Sequence, residues 1–175
     1  MKKLLLPFFL TGTIAMMVVM SKSGAVLKTA TTPQGILNLE FAYNTSKTKN
    51  IINAWQLSSQ PDKLQAAINN TFYDFVFLFF YAGFLFLACK KIAATIKGPV
   101  AKAGNYIASS ALLAGIFDAL ENTGMLLTLY GHTSNSIAFL TVIFSVIKWV
   151  LAIIAVVYAL TGILYWLYKK LNTNR

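Results

Sequence analysis

Three acidic side chains lie inside long apolar stretches of the sequence. The chain of 175 residues contains five acids, of which Asp74, Asp118 and Glu121 occupy such stretches. A charge in the middle of a bilayer costs at least about 2.5 to 3.5 kcal/mol on insertion scales, so such acids usually face a protein interior and mark a site. Asn122 follows Glu121, and offsets of 3 and 4 residues from Asp118 place the three side chains on one helical face.

Two other apolar stretches carry polar faces of the same kind. Asn70, Asp74 and Tyr81 fall on one stripe of a helix at offsets of 4 and 11 residues. Small residues let helices approach closely, and polar residues form hydrogen bonds between them. We therefore expect the three polar faces to share one interior. The third face contains Lys148, and its other members are Thr141, Ser145, Ala152, Ala155, Ala159 and Gly162.

The depth of these groups follows from a rise of about 1.5 Å per residue and a hydrocarbon core about 30 Å thick. Asp74, Glu121 and Lys148 reach the outer third of the membrane by this measure, and Asp118 lies one turn deeper. A segment outside the apolar stretches carries Glu40, which we expect at the same site. The sequence thus predicts a ligand or ion pocket formed by Glu40, Asp74, Tyr81, Asp118, Glu121, Asn122 and Lys148.

The charges of this predicted pocket do not balance. If Asp74, Asp118 and Glu121 are all ionised against Lys148 alone, the formal charge is about −2, which is costly where solvation is poor. Bound protons or a bound cation would compensate, and either would be part of a function. In the alternative interpretation, Lys148 pairs with one acid, Asn122 and the tyrosines satisfy the others, and the set only fixes the register of the helices.

The composition of the chain places these groups in a membrane protein. Hydrophobic residues make up 57% of the chain and charged residues 11%, against about 25% charged in a soluble domain. A soluble globular protein is thereby excluded, because the surplus apolar side chains would be exposed. The formal charge of +10 comes from cations that flank apolar stretches, which argues against nucleic acid as a partner. With Cys89 and His132 the only residues of their types, we expect no disulfide, metal site or cofactor.

The elements that must position the polar groups are four transmembrane helices in an all-α, polytopic bundle. The first apolar stretch also fits a signal peptide cleaved near Val26, and we expect it to be retained as a helix. We expect one membrane domain over residues 1–175, with a small extracytoplasmic helical cap formed by residues 21–70. The predicted spans cover about 4–20, 71–89, 105–130 and 136–168.

Within residues 21–70 the sequence predicts short helices. Thr32 can cap a helix whose first turn contains Pro33. A second helix is expected from about Ser46 to Leu57, with apolar residues on one side. A third is expected to begin near Ser59 to Asp62, with the acid in its first turn, and to continue into the second span.

Orientation follows from the cations, because Lys and Arg concentrate on the cytoplasmic side. Five cations lie in or beside residues 21–70, and nine lie on the side of the two termini. We therefore expect both termini in the cytoplasm and the protein in the cytoplasmic (inner) membrane. The nine are Lys2, Lys3, Lys90, Lys91, Lys97, Lys102, Lys169, Lys170 and Arg175.

The leading functional hypothesis is a small integral membrane protein whose pocket binds or transports a lipid-like or cationic small ligand, or relays protons or cations. One alternative is an enzyme acting on a lipid-soluble substrate, with Asp118 or Glu121 as general acid or base. Lys148 or Asn122 would then stabilise developing negative charge. Another alternative is an accessory subunit of a larger membrane complex. The expected partners are membrane lipids and the ligand. A homo-oligomer and a larger membrane complex are both compatible with the sequence.

Overall fold

The structure is a computed structural model that describes residues 4–57 and 62–173. Every regular element in these two ranges is helical, with no strand among them. A 3₁₀ turn, Ala25–Leu27, follows the first helix. The α-helices are α1 (Leu5–Gly24), α2 (Ile36–Glu40), α3 (Thr45–Gln56), α4 (Lys63–Thr95), α5 (Pro99–Leu129) and α6 (Asn135–Thr173).

Four of these helices, α1, α4, α5 and α6, are long and apolar enough to cross a membrane. The predicted all-α fold with four such helices is therefore confirmed. At about 1.5 Å per residue, the 33 residues of α4 rise about 50 Å, which exceeds a hydrocarbon core of about 30 Å. The stretch predicted at 71–89 is accordingly the apolar middle part of α4, and the stretch predicted at 136–168 covers all but the first residue and the last five residues of α6.

Capping residues explain where three helices begin. The Asn44 side chain accepts a hydrogen bond from a backbone N–H three residues later, at 2.9 Å, so α3 begins within one residue of its predicted start. Asp62 accepts the equivalent bond for α4 at 3.0 Å, and α4 continues without a break into the second span, as predicted. Pro99 begins α5, where a missing N–H is tolerated. Residues 59–61 of the predicted helix start lie outside the described residues.

The prediction that Thr32 caps a helix beginning at Pro33 was wrong, because α2 begins at Ile36. The Thr32 hydroxyl instead donates to the carbonyl of Leu27 at 2.7 Å, which closes a compact loop. The chain then turns at Gly35, whose φ of 63° is a conformation that favours glycine. A contact within the loop therefore uses the side chain that was expected to cap the helix.

α4 is the centre of the bundle, because it packs along α1, α5 and α6. α5 and α6 also pack along each other. In the described part of the chain, α1 makes little or no direct contact with α6. An opening consequently remains between α1 and α6, with α4 as its floor.

The interface of α1 and α4 combines two close approaches with hydrogen bonds near one end. The ring of Phe80 lies against Gly12, and the ring of Phe9 lies against Gly83, so each helix has a glycine where the other presents an aromatic ring. The Asn70 side chain donates to the backbone carbonyl of Met20 at 3.0 Å. These contacts hold α1 on α4 although α1 has few other neighbours.

Residues 25–57, called the cap below, cover one end of the bundle. Residues 21–24 and 63–70 of the segment predicted as the cap belong instead to α1 and α4. Trp55 is its core residue, 1% exposed, and its indole N–H donates to the Leu27 carbonyl at 3.0 Å. The backbone N–H of Thr45 donates to the Asn135 side chain at 2.9 Å, which ties the cap to the start of α6. This packing brings α2 over the region where the polar faces of the long helices meet.

Candidate functional site

Lys148 of α6 is the centre of the buried charge cluster. Its ammonium nitrogen lies 2.6 Å from Oε2 of Glu121 and 3.1 Å from Oδ1 of Asp118, both on α5. It also lies 3.3 Å from Oε1 of Glu40 in the cap. An ammonium inside an apolar stretch needs an acid, so the sequence predicts Asp118, Glu121 or Asp74 within ion-pair reach of Lys148. Asp118 and Glu121 are found there, Asp74 is not, and Glu40 adds a third carboxylate.

Glu40 connects the cap to α6 through three groups spaced along one helical face. Its Oε1 accepts a hydrogen bond from the Ser145 hydroxyl at 2.5 Å and another from the Trp149 indole N–H at 2.6 Å. Ser145, Lys148 and Trp149 stand at i, i+3 and i+4, so they face the same side of α6. Sequence reasoning did not assign Trp149 to the site, although its spacing of four residues from Ser145 was a usable signal.

Asp74, which α4 contributes to the cluster, lacks such hydrogen bonds and ion pairs with the described residues. Asp74 is 9% exposed and forms no hydrogen bond within 3.5 Å and no ion pair within 4.0 Å with any described residue. The Asn122 amide lies next to it, and the Tyr81 hydroxyl lies next to Asp118, but neither contact completes a hydrogen bond. Among the described residues, side-chain groups without a hydrogen-bond partner are therefore concentrated between α4 and α5.

A cavity of about 520 Å³, called the cleft below, lies beside these groups between α1 and α6. Along α4 its lining changes from Asn70 and Asp74 near the cap to Phe84 and Leu85 farther away. Met17 and Val156, on the two flanking helices, are also apolar. The cleft is thus amphipathic, and its polar lining includes Glu40, Asn70, Asp74, Tyr81, Asp118 and Lys148.

All seven residues of the predicted pocket lie in this part of the bundle, but they do not all line the cleft. Glu121 and Asn122 are both 0% exposed and stand behind the wall, outside the lining. Sequence reasoning also missed the contribution of α1, because Thr13, Met17 and Met20 carry no signal that distinguishes them within an apolar run. Whether the seven bind a ligand stays a prediction.

The cluster favours positive charge. Glu40, Asp74, Asp118 and Glu121 are four of the five acids in the chain, and with Lys148 as their counter-ion the formal charge is −3 when all are ionised. Such an excess of buried negative charge is costly unless protons or cations balance it. In residues 4–57 and 62–173, no group of three or more His, Cys, Asp or Glu side chains has the arrangement needed to hold a metal ion.

Comparison with known proteins adds no family to this description. The chain gives no significant match to any protein-family model, to any curated protein or to any solved structure.

Proposed function

We propose that this protein binds a cationic, lipid-like small molecule in the cleft between α1 and α6. The observation that carries the proposal is the carboxylate of Asp74, which lines the cleft without a hydrogen bond or an ion pair from the described residues. A buried carboxylate needs a proton or a positive partner. A cationic head group beside Asp74 supplies that partner and reduces the negative excess of the cluster.

The walls of the cleft support a ligand with a hydrocarbon part. Beyond Asp74 the lining becomes apolar along both α4 and α6, with Phe84, Ala152 and Val156 at the far end. Small-molecule sites typically combine apolar walls with a few placed polar groups and enclose about 300 to 1,000 Å³. A relay of protons or small cations through the same acids is the nearest variant of this function, but it would not use the apolar walls.

The position of the cleft favours a ligand that arrives from the bilayer. α1 and α6 make little or no direct contact within the described residues, so the cleft lies where two candidate membrane spans face each other without packing. A lipid-like molecule can enter such an opening sideways, with its tail in lipid throughout. Membrane lipids are in this view both the surroundings and the nearest competitors for the site.

An enzyme acting on a lipid-soluble substrate is the second candidate. It is supported by one observation: Asp118 and Lys148 form a hydrogen bond of 3.1 Å at the wall of the cleft, with the Tyr81 hydroxyl beside Asp118. These groups suit acid and base chemistry on a bound head group. An accessory subunit is less well supported, because its docking would use an open polar stripe, whereas the charged groups here are buried within one chain.

The direct test is binding of 1-dodecylamine, which is an ammonium with a single chain at neutral pH. We expect native mass spectrometry in a nonionic detergent to detect one bound molecule per chain. Asp74→Asn is expected to weaken this binding by about 10- to 100-fold, because a charge-assisted hydrogen bond contributes about 1.5 to 3 kcal/mol. The variant should fold at least as well as the parent, since it removes an unpaired buried charge.

Asp62→Asn is the matched control for this substitution. Asp62 is the acid of the chain that lies outside the cluster, and asparagine keeps its capping role at the start of α4. The control should bind dodecylamine as the parent does. Equal binding by the parent and by Asp74→Asn, with both folded, would contradict the proposed site.

We also propose that both termini lie in the cytoplasm and that the cap faces the outside of the inner membrane. Nine cations against five support this orientation. Green fluorescent protein fused after Arg175 should fluoresce, because it folds in the cytoplasm. Alkaline phosphatase fused after His132, in the loop between α5 and α6, should be active outside. The reverse pair of results would invert the topology.

A further inference from the structure

We infer that the head group recognised in the cleft is an ammonium that carries N–H bonds, a protonated primary or secondary amine, on a single hydrocarbon chain. This inference rests on the proposed function, because it names the class of ligand for the same cleft. It requires more than a positive charge, since the ligand must also bring hydrogen-bond donors.

Two unpaired polar groups that line the cleft, the carboxylate of Asp74 and the hydroxyl of Tyr81, can both accept hydrogen bonds. The Asp74 carboxylate has no donor in the described chain, and the buried Tyr81 hydroxyl also has no partner there. Behind them, Oε1 of Glu121 and both the nitrogen and the oxygen of the Asn122 amide are also without a partner among the described residues, but neither residue lines the cleft. Because an unmatched buried acceptor is costly, a ligand with donors gains more than a ligand with charge alone.

The geometry suits a single nitrogen with several N–H bonds. Tyr81 lies two turns after Asp74 on the same face of α4, and helical side chains lean toward the N-terminus, so its hydroxyl reaches back toward Asp74. Asp118 lies beside that hydroxyl and lines the cleft from α5. A primary ammonium offers three donors and can therefore bind Asp74 and a second acceptor together. A quaternary ammonium offers none.

The volume of the cleft is sufficient for one hydrocarbon chain. At about 30 Å³ for each water-sized group, 520 Å³ holds roughly a head group and a dozen or so methylenes. The apolar wall along α4 ends at Leu85, which is 11 residues or about 16 Å beyond Asp74. A single chain of that length fits along the wall, whereas a two-chain phospholipid would place only one of its chains there and leave the other in the bilayer.

A series of three probes with the same twelve-carbon chain tests the inference: 1-dodecylamine, dodecyltrimethylammonium and 1-dodecanol. Titrations by native mass spectrometry in a nonionic detergent should give dodecylamine an affinity at least about tenfold above that of the trimethyl compound, with dodecanol weakest. Tyr81→Phe should reduce the ratio of the affinities for dodecylamine and for the trimethyl compound to a few-fold. Tyr73→Phe, on an exposed part of the same helix, should leave it unchanged.

The outcomes separate the inference from the proposed function. If the trimethyl compound binds as tightly as the amine, and both bind better than dodecanol, the cleft recognises charge and the N–H requirement is wrong. A preference for the amine that is identical in the parent and in Tyr81→Phe would remove Tyr81 from head-group recognition. If dodecanol binds as well as the two cations, or if no probe binds, the proposed function itself fails.

Discussion

Lys148→Met is expected to lower the free energy of unfolding by about 3 to 5 kcal/mol, which is the cost of breaking a buried ion pair by removing one partner. Lys148 is 7% exposed and lies within 3.3 Å of three carboxylates, so its removal leaves Glu40, Asp118 and Glu121 without their counter-charge. Methionine has a similar length and an unbranched chain. The loss in free energy of unfolding therefore reflects the missing charge more than a change in side-chain volume.

Unfolding in detergent, followed by circular dichroism as temperature or denaturant rises, measures this loss. Lys91→Met is the matched control, because Lys91 is an exposed lysine on α4 and loses the same charge. The control is expected to change stability by less than about 0.5 kcal/mol. Equal effects of the two substitutions would mean that the cluster does not depend on the ammonium of Lys148.

The second large effect is that Glu121→Gln should restore part of the stability that Lys148→Met removes. Glu121→Gln alone should leave the protein folded, since Lys148 keeps Asp118 and Glu40 as partners. Combined with Lys148→Met, it should recover about 0.5 to 3 kcal/mol of the loss, the range of coupling found for residues in direct contact. The physical reason is that the double variant has one fewer uncompensated carboxylate.

The four single and double forms make a double-mutant cycle, measured by the same unfolding transitions. We expect the double variant to be more stable than Lys148→Met alone. A double variant whose loss equals the sum of the two single losses would show that Glu121 and Lys148 do not interact, despite a separation of 2.6 Å. Gln also keeps the size of Glu121, so repacking does not confuse the comparison.

Hydropathy and helical spacing were sufficient to predict the four long helices and the core of the charge cluster. Lys148 is the cation of the last apolar stretch, and an ammonium there needs an acid. Asp118, Glu121 and Asp74 were the acids available, so an ion pair between Lys148 and one of them followed from the sequence, whereas the choice of Asp118 and Glu121 did not. Glu40 could be placed near the site because residues 21–70 had to cover the same end of the bundle.

Other features of the site depend on packing that a single helix does not encode. Helical spacing assigns Glu121 and Asn122 to the polar face of α5, but only the rotation of α5 against its neighbours puts them behind the wall of the cleft. The contribution of α1 follows from where its glycine meets Phe80. Trp149 was missed because its polar N–H, which bonds to Glu40, is a minor part of an apolar side chain.

A density map of the protein, transferred from its native membrane into nanodiscs without detergent, shows whether a ligand occupies the cleft. We expect elongated density along α4, with its head group within about 2.7 to 3.2 Å of the Asp74 carboxylate and its tail extending toward Phe84. A map in which α1 packs against α6 and closes the cleft, with Asp74 hydrogen-bonded to another side chain of the protein, would contradict the proposed binding site.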